Sequence, residues 1–251
     1  MAYAGLKIRH HCESEADFLY DAERLPEPDH RIFDPQYWEA RAALIGQASG
    51  RGTTWFVQHG GGQWALRHYH RGGFAARISR DRYFWLGLER TRAWREFRLT
   101  AQLHAQGLPV PAPVAARVIR SGLSYRADLI TARLEAVTPL SQRLLQAALG
   151  EHGWENLGAV LRRFHDAGVD HADLNAHNIL ADAAGQFWLI DFDKGRLRPP
   201  GSWTNTNLQR LRRSLTKLKS LSPGFSWTDA DWDALRAGYV AGSARTGRAR
   251  S

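Results

Sequence analysis

The sequence predicts an α+β protein in two lobes. Residues 1–133 read as a small antiparallel sheet with one helix, and residues 134–251 as a mainly helical lobe. Three observations lead there. Alternating strand-like segments broken by glycine turns fill much of the first half, and apolar residues at helical spacing dominate the second. The chain has 251 residues, 43% of them hydrophobic, so it is globular and can bury a sizeable core as one large domain or two small lobes.

The elements follow in order. Residues 1–45 are polar and aromatic without clear periodicity and yield no assigned element. "TTWFVQ" is β-branched and aromatic and reads as a strand, "HGGG" as a turn, and "QWALRHY" as the returning strand. Gly50 and Gly52 stand at the entrance of this hairpin. A helix follows in "ERTRAWREFRLTAQLHAQG", with Trp94, Phe97, Ala101 and His104 on one face and Gly107 at its end. "GLPVPAPVAARVI" is a proline-punctuated loop running into a strand, and "LSYRADLITARL" is another strand. The lobe boundary falls near Arg133–Ala136.

In the second lobe, Leu157, Val160, Leu161 and Phe164 mark a helix that Gly168 terminates. "QFWLIDFDKG" is a short apolar strand running into acids. "NLQRLRRSLTKLKS" is an amphipathic helix with Leu208, Leu211, Leu215 and Leu218 on one side. The tail "GSARTGRARS" is of low complexity and expected to fray.

Composition narrows the classes. Cys12 is the single cysteine, so a disulfide framework is excluded and a reducing cytoplasm is expected. The opening stretch has no apolar core of signal-peptide length, and no run reaches the roughly 18 apolar residues of a spanning helix, so a soluble or peripheral protein is expected. The net charge is +9. Between Lys194 and Thr228 there is no acidic residue, yet eight Lys and Arg: Lys194, Arg196, Arg198, Arg210, Arg212, Arg213, Lys217 and Lys219. Such a patch suits phosphates on nucleic acid, nucleotide or lipid; an ordinary solvated face is the plainer explanation. No nucleic-acid recognition motif accompanies the charge, so no nucleic-acid partner is expected.

The densest chemistry lies in "HADLNAHNILAD", residues 171–182. Asp173 and Asn178 are separated by four residues, and Asp191 follows a further strand-turn-strand length. That spacing fits phosphoryl transfer from a nucleotide, which needs a metal ion on phosphate oxygens, an acceptor oxygen held in line and charge compensation. Asp191 at the end of an apolar strand offers a hard ligand for Mg²⁺, and Asn178 a neutral amide oxygen. Asp173 can take the proton of an acceptor hydroxyl. His171 braces the loop rather than reacts. Two alternatives stay open. His171, Asp173 and His177 could hold zinc, although their spacing fits no single helical face and no cysteine is nearby. The segment could also be a polar turn with capping asparagines.

"HADLNAHNIL" followed by "LIDFDKG" resembles the catalytic and metal-binding loops of the protein-kinase-like fold. "GRGTTWFV", "WALRHYHRGG" and "GLPVPAPVAARV" narrow the resemblance to the bacterial 3-deoxy-D-manno-octulosonic acid (Kdo) kinases of lipopolysaccharide synthesis, over roughly residues 48 to 220. The resemblance implies a bilobal kinase-like fold, ATP as donor and Mg²⁺ as cofactor. It implies Asp173 as the catalytic aspartate, Asn178 and Asp191 as metal ligands, and Gly50 and Gly52 in a phosphate-covering loop that is glycine-poor here. The kinase pattern places a lysine on the third strand; here the candidate is Arg67, with Glu96 as its ion-pair partner. A second departure is Asn175, where many protein kinases carry a lysine. Transition-state charge would then come from another cation, with Arg196 or Lys194 as candidates.

The implied acceptor is the 4-hydroxyl of Kdo on a lipid A precursor, at the cytoplasmic face of the inner membrane of a Gram-negative bacterium. The basic helix suits such an anionic surface if its leucines face acyl chains, and Trp203, Phe225, Trp227 and Trp232 could anchor at the interface. All of these are alternatively core packing. A heptose or aminoglycoside kinase on the same fold, or a degenerate kinase-fold binding module, are the competing functions.

Overall fold

The computed structural model describes residues 5–49, 52–70 and 81–248. The chain forms two compact units: the first runs to Leu134 without Leu108–Val110, and the second joins those three residues to the segment from Glu135 onward.

The first unit is an antiparallel sheet. Its strands are β1 (Ile8–Glu13), β2 (Ala16–Asp21), β3 (Leu44–Ser49), β4 (Thr53–His59), β5 (Gly62–His68), β6 (Tyr83–Phe84), β7 (Pro113–Ser121) and β8 (Ser124–Ala132). The order is β1-β2-β7-β8-β5-β4-β3, with β6 paired to β8. A short α1 (Pro35–Glu39) and the helix α2 (Arg92–Ala105) belong to the same unit. Residues before 46 therefore supply three strands and a helix that the sequence pattern did not disclose. The reason lies in β2: five of its six residues are buried, because it lies between β1 and β7 with both faces covered. A strand covered on both faces shows no polar–apolar alternation.

The alternation is present, but it sorts one apolar set from another. Phe18, Tyr20, Trp64, Leu66 and Ile130 join Ile32, Phe33 and Trp38 in one core. Leu19, Tyr69, Val118 and Leu129 join Trp94, Phe97 and Ala101 of α2 in the other. Local chemistry sets the ends. Asp34 accepts from the Gln36 backbone N–H ahead of Pro35, an N-cap followed by proline at the first helical position. Gly107 adopts φ 69° just after α2, where an L side chain is strained.

The second unit contains β9 (Thr138–Pro139), α3 (Leu140–Gln146), α4 (Gly150–Asp166), β10 (Val169–Asp170), β11 (Ile179–Ala181), β12 (Phe187–Leu189), β13 (Arg196–Leu197), α5 (Trp203–Leu221) and α6 (Asp229–Arg248). β11 pairs with β12 and β9, and β10 with β13. Helix α6 begins in a reciprocal cap: Thr228 N–H donates to the Asp231 carboxylate and Asp231 N–H to the Thr228 hydroxyl. Its backbone runs to Arg248, and the end of the low-complexity tail, residues 249–251, lies outside the described residues.

α4 and α6 pack backbone to backbone. A Cβ on Gly158 would lie 2.0 Å from the Leu235 carbonyl oxygen, and one on Gly238 2.0 Å from that of Glu155. Along α5, Leu208, Leu211 and Leu215 are 0–1% exposed, and Trp203, Phe225, Trp227 and Trp232 are also buried. This corrects the membrane-facing alternative for these residues: their apolar area is spent inside the unit. The sequence pattern alone could not separate the two, because a core and an acyl layer demand the same apolar stripe.

Substituting Gly238→Ala forces α4 and α6 apart and costs about 3 kcal/mol, read as a lower urea midpoint, whereas Gly224→Ala, with no atom within 4 Å of its Cβ, stays close to the parent. His165 is held down to about 4 by burial and then by the nearby Arg162 charge, and its Nδ1 pairs with the Tyr239 hydroxyl. The unfolded chain therefore takes up this proton first. Stability is full above pH 6.5 and falls as pH drops from there toward about 4. The share due to His165 is roughly 3 kcal/mol, measured as the difference in urea titrations between the parent and His165→Gln.

Candidate functional site

In the first unit, strand β5 carries Arg67, opposite Thr54 of β4 and Leu129 of β8. Strand alternation turns Arg67 away from the face of Leu66. Its Nη2 forms an ion pair with Glu96 Oε2 from α2 and also donates to the Tyr69 hydroxyl, 3.2 Å away. Tyr69 in turn donates to the same Glu96 oxygen. Glu96 is 3% exposed, so two donors compensate a buried carboxylate. Burial, with Glu96 beside it, pushes the Tyr69 hydroxyl well above its ordinary range and keeps it a neutral donor. Tyr69 was missed by sequence reasoning, which treated it as an alternating strand residue. Its signal was a tyrosine two positions beyond Arg67, on the same face. Gly52 abuts His70: a Cβ there would lie 2.7 Å from His70 Cδ2, so a larger residue would require the His70 ring to move. Gly50 lies outside the described residues.

In the second unit, the segment 171–178 is positioned from both sides. β11 and β12 pair Ile179 with Leu189, so the residues just outside the ladder, Asn178 and Ile190, also face each other. Ile190 N–H donates to the Asn178 carbonyl at 3.0 Å. An antiparallel hairpin thus brings Asn178 beside Asp191, thirteen positions away in the chain. Asp191 takes φ 65°, the left-handed region that an L residue enters only when its surroundings fix it there.

His171 ties this corner to the loop. It is 1% exposed; Nε2 lies 3.0 Å from the Ile190 carbonyl, and Asp173 N–H approaches Nδ1 at 3.3 Å. A carbonyl only accepts and an N–H only donates, so the ring is neutral with its proton on Nε2. Burial pushes its pKa down, in agreement with that state. The loop closes on itself through its asparagines. Asn175 Oδ1 accepts from the His177 and Asn178 backbones at 2.8 and 3.3 Å, and its Nδ2 donates to the Asp173 carbonyl at 3.0 Å. Asn178 Nδ2 donates to the same carbonyl at 2.9 Å. That bond orients the amide and leaves its Oδ1 as the atom that could meet a cation.

Behind the loop stand β10 and α5. The Asp170 carboxylate accepts from Asn207 at 2.9 Å, Arg198 at 3.0 Å and Arg196 at 3.2 Å. Burial opposes its ionisation, but the bonds from Asn207, Arg198 and Arg196 outweigh it and hold its pKa below the usual carboxylate range. Asn207 Oδ1 also accepts from the His171 backbone at 3.0 Å. Neither Asp170 nor Asn207 was singled out in the sequence. The one available signal was a polar residue adjoining the leucine stripe of a helix.

Asp173, Asn178 and Asp191 are therefore gathered within the second unit, and Arg67 and Glu96 are joined within the first. Two expectations are corrected. Arg196 is committed to Asp170 and is not a reserve of transition-state charge. The zinc alternative has no geometric basis: both His171 nitrogens are engaged by the chain, His177 Nδ1 pairs with Ser141 Oγ at 2.8 Å, and among the described residues no cluster of three His, Cys, Asp or Glu side chains could hold a metal ion. The donor set instead suits a hard cation, with a carboxylate and an amide oxygen at adjoining corners of one hairpin.

Residues 35–239 match the model of the lipopolysaccharide kinase (Kdo/WaaP) family. Three proteins, each called 3-deoxy-D-manno-octulosonic acid kinase, are similar over most of their length. One from Xanthomonas axonopodis pv. citri (strain 306) is 53% identical, covering 87% of this chain and 86% of that protein. One from Stenotrophomonas maltophilia (strain K279a) is 50% identical, covering 88% of each. One from Xylella fastidiosa (strain 9a5c) is 46% identical, covering 91% of this chain and 92% of that protein.

Proposed function

The chain belongs to the lipopolysaccharide kinase (Kdo/WaaP) family, and from that premise we propose that it is an ATP-dependent kinase that phosphorylates the 4-hydroxyl of a Kdo residue on a lipid A precursor. The observation that carries this reading is the gathering of Asp173, Asn178 and Asp191 around one hairpin corner in a chain 46–53% identical to Kdo kinases.

The residue roles follow from chemistry. Asp173 accepts the proton of the acceptor hydroxyl and aims its oxygen at the γ-phosphorus. The new bond joins that oxygen to phosphorus, the bond from phosphorus to the bridging oxygen breaks, and ADP leaves. Asn178 Oδ1 and the Asp191 carboxylate would hold Mg²⁺. When bound, that ion supplies charge compensation for the nucleotide phosphates. In the first unit Arg67, set by Glu96 and Tyr69, binds nucleotide phosphate; a guanidinium does so through a planar fork where lysine would offer a point charge. Gly52, lying close on His70, belongs to the covering loop, with Gly50 beside it in sequence.

The acceptor is an anionic lipid, so the protein works at the cytoplasmic face of the inner membrane as a peripheral protein. Among the described residues no helix is long and apolar enough to cross a membrane. Exposed Arg213 and Lys217 support an electrostatic contact with an anionic surface. The burial of Leu208, Leu211 and Leu215 leaves the stripe of α5 little apolar area for insertion.

Mass spectrometry of a Kdo-bearing lipid A precursor incubated with the protein, ATP and Mg²⁺ should show one added phosphate on Kdo; transfer only to heptosyl or aminoglycoside acceptors would reassign the substrate. In the same assay Asp173→Ala should lose about a thousandfold in turnover while still binding ATP. Arg67→Ala should weaken ATP binding roughly tenfold, by loss of a charge-assisted contact; unchanged affinity by titration calorimetry would remove Arg67 from the nucleotide site.

A further inference from the structure

Helix α5 grips the catalytic loop at two points. Asn207 accepts from the His171 backbone at 3.0 Å, and Ser214 Oγ accepts from the Ala176 backbone at 3.2 Å. These two residues are two turns apart, and so share a face. The loop advances from His171 to Ala176 as the helix advances from Asn207 to Ser214. Arg210 lies on this face one turn beyond Asn207, level with the middle of the loop, where Asp173 and Asn175 stand.

Arg210 is half-buried, and its Nε is buried without a hydrogen-bond partner. Several cations of the basic stretch are engaged: Arg196 and Arg198 pair with Asp170, Arg212 pairs with Asp229, and Lys219 donates to the carbonyls of Pro223 and Phe225, while Arg213 and Lys217 are exposed to solvent and so need no partner. No such pair is formed by Arg210 among the described residues. Nor can the loop supply the cation itself. Asn175, at the position where many kinases have lysine, spends both ends of its amide on the loop backbone. A half-buried guanidinium without a counter-ion is unfavourable by itself and becomes favourable when a ligand brings the anion.

We propose that Arg210 is an acceptor-binding residue, clamping an anionic oxygen group of the acceptor beside Asp173. A carboxylate and a phosphate share the required chemistry: two oxygens in a plane that a guanidinium fork can meet. On a Kdo-bearing lipid A precursor the first is the carboxylate of the sugar acid and the second a phosphate of the lipid. This assignment rests on the reading of the protein as a Kdo kinase.

The test uses the full chain with Arg210→Met, which keeps length and loses charge, and Arg210→Lys. Initial rates are measured against ATP and against two acceptors: the Kdo-bearing lipid A precursor, and the same molecule after enzymatic removal of its lipid phosphates. Arg210→Met should raise the KM for the intact acceptor about tenfold while the KM for ATP stays within about twofold, and Arg210→Lys should recover part of the loss. An equal effect of Arg210→Met on both acceptors identifies the carboxylate as the bound group; an effect confined to the phosphorylated one identifies the phosphate. The thermal midpoint of Arg210→Met should be no lower than the parent's, since an unpaired cation has been removed. An unchanged acceptor KM overturns the assignment, as does a parallel loss of ATP and acceptor affinity with a lowered midpoint. If the parent transfers no phosphate to the Kdo lipid, the proposed reaction fails. Arg210 is then judged by equilibrium binding of the same intact lipid to parent and Arg210→Met: about tenfold weaker binding supports the clamp, and equal binding overturns it.

Discussion

A single neutral imidazole sets the geometry of the second unit. His171 donates from Nε2 to the Ile190 carbonyl and accepts at Nδ1 from Asp173 N–H, and so fastens the loop bearing Asp173 to the strand end bearing Asp191. Both ring nitrogens are satisfied in a site that is 1% exposed, where a protonated ring would lose the acceptor and where burial outweighs the attraction of the nearby Asp191 and Asp173 carboxylates. Asn178 enters from the other side, through the Ile190–Asn178 backbone bond. The backbones that carry Asp173, Asn178 and Asp191 are thus set by hydrogen bonds around them, so the corner is built before any cation arrives.

Helix α5 is the support behind this corner. Its Leu208, Leu211 and Leu215 fill the core, its Asn207 reaches Asp170 and the His171 backbone, and its exposed rim is basic. One helix therefore stabilises the unit, positions the loop and carries charge toward solvent. These roles are compatible because a helix has separate faces about every third or fourth residue. Asp170 illustrates the economy of the arrangement. Three hydrogen bonds keep it ionised in a buried place, and in doing so they consume Arg196 and Arg198, two cations of the basic stretch.

In the first unit the analogous fixing is done by side chains. Glu96 on α2 receives Arg67 and Tyr69 at one oxygen. A guanidinium pairs in a fixed plane where an ammonium would swivel, and the tyrosine holds the carboxylate from the strand side, so that the orientation of Arg67 follows from the packing of β5 on α2. Trp94 and Phe97 on the same helix lie in the core with Tyr69, which makes this orientation part of the fold's own hydrophobic contacts.

Much of this was written in the chain itself. The β4–β5 hairpin, helices α2, α4 and α5, and the grouping of Asp173, Asn178 and Asp191 all follow from local periodicity, glycine punctuation and spacing, because each is decided by neighbours within a few turns or one hairpin. What the sequence left open was decided by contacts far apart in the chain. β2 could not be recognised, since burial on both faces erases alternation. The leucines of α5 could have met lipid or core, as both reward the same stripe. Arg196 could have been a spare cation until the pairing of β10 with β13 placed it on Asp170. The partners of Glu96, Asp170 and His171 are side chains and carbonyls brought up by folding, and a hydrogen bond depends on where its two ends lie in space, which residue types alone do not specify.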